Sequence, residues 1–369
     1  MKKIHYLAIC LLATGLAACT QNEEISSLEN QKAITFDTYV GRDAATRASV
    51  IDVDDLKTYG FGVLGYYYTV GDWGETATPN FMYNQKVSGE DWGYEPLKYW
   101  PATGKISFFA YAPYDENAAL SANTAAGTPT LIYTVPNAVG EQIDLLVAGA
   151  QKDKNANTVE FSFKHALSRI GFGVKLANGS AVDAATTIDF SKITLSADFY
   201  PSATLTLDLD GSGNVQWKDE ATAATATYTL NNTEDTTDNI ETITSLSTTT
   251  AAINNESSYL MVLPQDFTTN KMSITANFSL STEDTKLDEG EFTANYEFTG
   301  KVALELEAGK AYTIVLVLGK TGDTDGDGDI DDDDDSVLVP VKFDVDEVED
   351  WADSTPKDYE LPQDVPNNN

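Results

Sequence analysis

The sequence predicts an all-β fold, built as two tandem β-sandwiches behind an export leader. Three observations predict it. Apolar residues make up 42% of the chain, enough to bury sizeable cores. Tyr, Phe, Thr and Val recur in short runs that alternate apolar with polar, and long amphipathic helical stretches are hard to find. The 369 residues exceed what a single core usually holds, so two domains are expected.

The leader comes first. Lys2 and Lys3 form a positive n-region, and Ile4 to Leu16 is apolar but too short for a stable membrane span. Leu16-Ala17-Ala18-Cys19 then resembles a bacterial lipobox, which is cut before the cysteine; the expected leader is 1–18, with acylation of the Cys19 thiol. An ordinary secretory signal with an incidental cysteine is the competing reading. No Asp follows Cys19, so by analogy with lipoprotein sorting the expected address is the outer membrane, facing the cell surface. Cys10 and Cys19 are the two cysteines, so the mature chain has no disulfide framework.

The strands follow. Ile34, Phe36, Thr38 and Val40 alternate with Thr35, Asp37 and Tyr39. Further runs are Tyr59 to Tyr68, Ile106 to Tyr111, Leu131 to Val135 and Ile143 to Ala148. The polar stretch Gln151 to Asn157 is a candidate boundary between domains spanning 48–152 and 153–350. After it come Val159 to Phe163, Ile170 to Leu176 and Leu205 to Leu209, the last ending in the hairpin turn Asp210-Gly211-Ser212-Gly213. Ala221 to Ser258, rich in Thr, Ala and Asn, predicts long loops or weak edge strands. Tyr259 to Leu263, Met272 to Leu280, Glu291 to Thr299 and Tyr312 to Leu318 are the next strands.

The final strand has a strict period of two: Val337, Val339, Val341, Phe343 and Val345 make one apolar face. Ten such residues reach roughly 33 Å, the length of a sandwich groove. Pro340 suits an edge or inserted strand, because it has no N–H to give a ladder. Periodicity alone leaves open whether this strand completes its own domain or is donated to another molecule. A polar tail, 351–369, closes the chain.

Six phrases in fixed order resemble the fimbrillin family, lipoprotein pilins that build type V pili. They are Ile34-Thr35-Phe36 with Thr46-Arg47-Ala48; Phe81 to Gln85 with Tyr94 to Pro101; Ile106 to Pro113; Gln142 to Leu146; Phe163 to Ile170; and Ala308 to Tyr312. The resemblance implies transthyretin-like, Greek-key sandwiches and a non-enzymatic fimbrial subunit. It also implies cleavage after an arginine, loss of a propeptide (19–47) that carries the first strand, and assembly with other fimbrial subunits by β-strand addition. The residues agree in part. Arg42, Arg47 and Arg169 are the only arginines, and Gly41 to Ala48 is small and polar, as a cleavable loop should be. Arg47 with Ala48 is the better site and Arg42 the alternative; a plain surface loop is the competing reading. The donor implied by the resemblance is the Val337–Val345 strand.

Asp323, Asp325, Asp327, Asp329, Asp331 and Asp334 lie in a segment, 323–334, that fits the calcium-loop pattern. Carboxylates occupy positions 1, 3, 5 and 9, Gly328 supplies position 6 and Ile330 the apolar position 8. Position 12 is Asp334, where Glu is usual, and no helical pattern flanks the loop. A Ca²⁺ site and a solvated acidic linker are both open readings.

Other chemistry is weak. The net charge of -35 excludes nucleic acid as a partner, because phosphate binding needs clustered cations. Of the 58 acidic residues, 18 fall between Asp323 and Asp364, so the charge is partly one local feature. His165 is the one histidine left after leader removal, which excludes a His/Cys zinc cluster. No paired carboxylates stand out for hydrolysis. Tyr66, Tyr67, Tyr68, Trp73, Trp92, Tyr94, Tyr99 and Trp100 fit packing better than a sugar-stacking platform. A lipid-anchored glycan-binding module, free of any polymer, is the alternative function, and a host or glycan ligand a possible partner.

Overall fold

The computed structural model describes residues 32–40, 51, 53–177, 186–231, 240, 242–254, 259–283, 291–320, 338–346 and 349–350. Cys19, Arg42, Arg47, Ala48, Val337 and the aspartates from Asp323 to Asp334 lie outside them.

The chain is mostly β, in several sheets. The first sheet takes β1 (Phe36–Val40), β2 (Phe61–Tyr68), β3 (Met82–Val87), β4 (Lys105–Ala112), β7 (Leu146–Ala148), β8 (Gln151–Lys154) and β9 (Val159–His165). Its order is β1-β9-β7-β4-β2-β3, with β8 also on β4. Between β4 and β7 come β5 (Ala119–Leu120) and β6 (Thr130–Thr134). A helix, α1 (Val53–Tyr59), precedes β2. It buries Leu56 and ends at Gly60, where φ is +76° and a Cβ would lie 2.8 Å from the Val87 carbonyl oxygen, so only glycine fits.

Both faces of this sheet are covered, so β2 and β4 are near-continuously apolar. Phe61, Val63, Phe108, Ala110, Phe161 and Phe163 point to one side, where Ile34, Phe36, Leu56, Tyr94 and Trp100 join them. Leu64, Tyr66, Phe109, Tyr111 and Val147 point to the other, into a larger cluster that runs on into the second half of the chain.

The remaining strands are β10 (Ser168–Leu176), β11 (Thr186–Phe199), β12 (Ser202–Leu209), β13 (Val215–Lys218), β14 (Ala224–Asn231), β15 (Ala251–Ala252), β16 (Leu260–Val262), β17 (Gln265–Asp266), β18 (Met272–Glu283), β19 (Glu291–Val302), β20 (Glu305–Leu306), β21 (Lys310–Lys320), β22 (Leu338–Val345) and β23 (Glu349–Asp350). They form the sheets β14-β11-β18-β19, β13-β12-β6-β5 and β15-β10-β21-β22, plus the pair β17-β20; β16 joins β10 and β23 joins β21. β10 and β21 run parallel, and β22 closes that sheet antiparallel to β21.

Several expectations shift. The polar run Gln151 to Asn157 holds β8, an edge-like strand on β4, and pairing crosses it: β9 joins β1 and β7, and β12 joins β6. Its polarity comes from exposure of that strand. The strand expected from Ile143 begins at Leu146, because Asp144 and Leu145 sit in a buried loop. Ala221 to Ser258, expected as long loops or weak edge strands, does contain an edge strand, the eight-residue β14. β11, one of the two inner strands of its sheet, was not among the expected strands; a bulge at Ser191 breaks its alternation.

The leading strand, its cleft and the closing strand

The Ile34 to Val40 run is a strand seated in the interior. Ile34 is 0%, Phe36 4% and Val40 2% exposed. β1 lies parallel to β9 at the sheet edge, with Phe36 opposite Val159, Thr38 opposite Phe161 and Val40 opposite Phe163. The Val159 N–H donates to the Thr35 carbonyl at 2.8 Å. Phe36 sits among four rings: Tyr94 at 5.4 Å, Phe108 at 5.8 Å, Phe161 at 6.1 Å and Phe61 at 6.3 Å between centroids. Three of these contacts are edge-on, the favourable quadrupole geometry.

A second segment straps the start of this strand. The Ile34 N–H donates to the Lys98 carbonyl at 2.9 Å, and the Trp100 N–H donates to the Lys32 carbonyl at 3.0 Å. The Tyr94 hydroxyl donates to the Ile34 carbonyl at 2.9 Å. Burial pushes the Tyr94 phenol above its ordinary pKa, so it stays a donor at any ordinary pH.

The chain on the far side of the arginines is held separately. Ile51 is buried, and its N–H donates to Asp144 Oδ2 at 3.2 Å. The same oxygen meets His165 Nδ1 at 2.7 Å, with both side chains essentially buried. Arg42 and Arg47 thus lie, in sequence, between a strand fixed to β9 and a residue fixed to Asp144. Arg169 is 5% exposed and packs under the Tyr259 ring at 4.4 Å, which removes it as a cleavage site.

At the other end of the chain, β22 pairs with β21 through Ile314–Val345, Leu316–Phe343 and Leu318–Pro340. Phe343 is 9% exposed and packs on Phe298 at 5.4 Å. Lys175 Nζ lies 2.7 Å from Asp346 Oδ1, and Thr250 Oγ1 donates to Asp346 Oδ2. Burial opposes ionisation of Asp346, but the Lys175 and Thr250 hydrogen bonds outweigh it and hold the carboxyl below its usual range. Lys342, at 2.6 Å, does the same for Asp344. Val345 is half-buried against the larger cluster.

Of the eight aromatics weighed as a sugar platform, Tyr66, Tyr94 and Trp100 are buried and Tyr99 alone is exposed. Among the described residues, no group of three or more His, Cys, Asp or Glu side chains is placed to hold a metal.

Several of the six phrases meet at or near the leading strand. Ile34-Thr35-Phe36 meets Tyr94 to Trp100 in the strap, Phe108 closes the ring cage, and Asp144 meets His165. Gly309 turns at a φ of +70° to donate to the Leu167 carbonyl. The strap and the Asp144 anchor were not foreseen; the phrases marked the segments without showing that they touch.

The chain is similar to the fimbrium subunit Fim1C of Phocaeicola vulgatus, 31% identical over 192 residues, or 46% of this chain and 50% of that protein. The match therefore spans half the length of that curated relative. The fold is similar to the crystal structure of a fimbrial protein from Bacteroides vulgatus ATCC 8482, with a TM-score of 0.62 at 23% identity, covering 86% of this chain and 99% of that one. The profile of the family described as fimbrillin-like matches residues 46–332, and the chain belongs to that family of structural, non-enzymatic proteins.

Proposed function

We propose that this chain is a subunit of a cell-surface fimbrium, exported as a lipoprotein acylated at Cys19, cut after Arg47 and assembled by strand exchange. The observation that carries this is the burial of β1 at a sheet edge. Burying one large apolar side chain is worth roughly 1.5–3 kcal/mol, so Ile34, Phe36 and Val40 together contribute about 5–9 kcal/mol. That is comparable to the roughly 5–15 kcal/mol net stability of a whole domain. A subunit that loses this strand exposes an apolar cleft and gains by taking another strand into it.

The anchors support the order of events. Ile51 is tied to Asp144, so the chain beyond the cut keeps its place when the strand before it leaves. Arg42 is the alternative cleavage site. The donor is the strand 337–346 of a neighbouring subunit. Asp323 to Asp334 binds Ca²⁺ on this proposal and stiffens the chain leading into that strand; the reading stands on sequence spacing. Calorimetry with calcium at millimolar concentration should show uptake, and a chain with Asp323, Asp325 and Asp327 changed to Asn should lose it.

Purified precursor treated with an arginine-specific protease should shrink by the leading segment and then polymerise. Arg47→Ala with Arg42→Ala should block both steps. Polymer from the uncut double variant contradicts the proposal, and so does sugar binding by a processed chain that stays monomeric.

A further inference from the structure

We infer that the open edge of β19 pairs antiparallel with the same edge of a second copy of this chain, around a twofold axis at Tyr296. The two β14-β11-β18-β19 sheets then continue into each other across the pair. The contact needs no cleavage and is independent of strand exchange.

The first ground is how open this edge is. β19 has 12 residues, lies last in its sheet and pairs with β18 along its whole length without a shift in register. A long, regular edge is a template for another strand, and proteins guard such edges with Pro, bulges, brevity or a covering segment. Several edges of this chain are guarded so. β1 has five residues, β3 shifts register against β2, β22 carries Pro340 and shifts against β21, and the turn Val139–Glu141 packs beside β14. β19 has no Pro and no shift. Among the described residues, no strand pairs with its outer edge.

The second ground is that the strand is complementary to itself. With Tyr296 on the axis, Thr293 falls opposite Thr299, Asn295 opposite Glu297 and Glu291 opposite Lys301, each twice. On the inner face Ala294 falls opposite Phe298, and the two Tyr296 positions meet on the axis. Every charge faces an opposite charge or an amide, and each face of one strand continues the same face of the other. Neighbouring registers lose this match. Moving the axis to Glu297 sets that carboxylate against its own copy, and moving it to Asn295 carries Lys301 past the end of the opposite strand.

The third ground is what the edge presents. Rows of side-chain hydrogen bonds cross the outer face and reach this strand. Thr293 Oγ1 lies 2.8 Å from Ser281 Oγ, Thr299 Oγ1 lies 2.8 Å from Thr275 Oγ1, and Asn277 Nδ2 donates to Glu297 Oε2 at 2.8 Å. The pairing joins the two hydroxyl rows through Thr293 and Thr299, and brings the Asn295 amide to Glu297 of the other copy. Thr293, Asn295, Glu297, Thr299 and Lys301 are all exposed. Tyr296 and Phe298 are half-buried, with Tyr296 stacked on Phe278 at 5.3 Å, so apolar surface remains for a neighbouring strand to cover. Between two fimbriae, on the function proposed above, this contact would hold the fibres side by side.

The test uses the full chain carrying Cys10→Ser, Cys19→Ser, Arg42→Ala and Arg47→Ala, so that it stays uncut and has no natural thiol. Sedimentation of this parent chain should find a dimer. Thr293→Cys mixed with Thr299→Cys should form a disulfide-linked dimer on mild oxidation, because paired Cα atoms lie about 4.5–5.5 Å apart. Either variant alone should link at least about tenfold less, since its two cysteines sit six residues, roughly 20 Å, out of register. A chain with Thr293→Lys and Thr299→Lys should stay monomeric, and so should one with Thr293→Glu and Thr299→Glu; an equal mixture of the two should dimerise again. Both positions are exposed, so all variants should unfold at the parent's temperature, which checks their folding. A monomeric parent chain overturns the pairing. So does a dimer that forms no link between positions 293 and 299, or one that the charge variants leave intact. Polymer formation after cleavage at Arg47 is read on the unaltered chain and stands or falls separately.

Discussion

β1 and β22 are both edge strands with a Phe-Asp step, yet the protein holds them by different means. β1 is held by rings and by backbone bonds from the strap, all of which a strand of similar pattern would satisfy equally. β22 is held by one ladder, a ring contact with Phe298 and the side-chain bonds of Asp346 to Lys175 and Thr250. The first host recognises a pattern, and the second adds residue-specific polar ties. That difference makes the leading segment replaceable.

The largest effect should come from Phe36. Phe36→Ala in the uncut chain removes a ring packed by four others and should cost about 3–5 kcal/mol in urea or thermal unfolding. Phe343→Ala should cost about 1–2 kcal/mol. Equal losses would erase the contrast between the two hosts. Next, Asp144→Ala takes the acceptor from both Ile51 and His165 and should cost about 1–3 kcal/mol. Limited proteolysis of the processed chain should then find Ile51 and its neighbours newly accessible.

A smaller effect belongs to the strap. Tyr94→Phe removes the bond to the Ile34 carbonyl, worth about 0.5–1.5 kcal/mol, and should speed release of the cut leading segment a few-fold. The smallest effect is acid. The carboxyls of Asp344 and Asp346 have depressed folded-state pKa values, so their stabilisation is present above the unfolded pKa. It is lost as pH falls through the lower folded values, in the region below 3.8. Hydrogen exchange at 338–346 should rise there earlier than exchange in β9.

Much of this was legible in the sequence, for reasons that differ by element. The Ile34 to Val40 and Val337 to Val345 runs were plain because their alternation is unbroken. β11 was not, because the bulge at Ser191 moves Ile193 and Leu195 one step out of phase with Ile188 and Phe190. Helix α1 has seven residues, too few for a helical period to emerge. Gln151 to Lys154 looked like a linker because an exposed strand on β4 carries linker composition. The strap was beyond reach for another reason. Tyr94 and Ile34 are 60 residues apart, and pairing at that distance leaves no periodic mark on either segment. The same holds for Asp144 with Ile51, 93 residues apart.

Hydrogen exchange at the Val159, Phe161 and Phe163 amides tests the central claim most directly, because β1 pairs with β9 over Val159–Phe163, the Val159 N–H donates to Thr35, and alternation along the strand turns the next two odd-numbered amides to the same edge. They should be protected in the uncut chain, lose protection when the leading segment departs and regain it in the polymer. Amides that stay protected in the processed monomer, or stay open in the polymer, would mean that no strand enters the cleft.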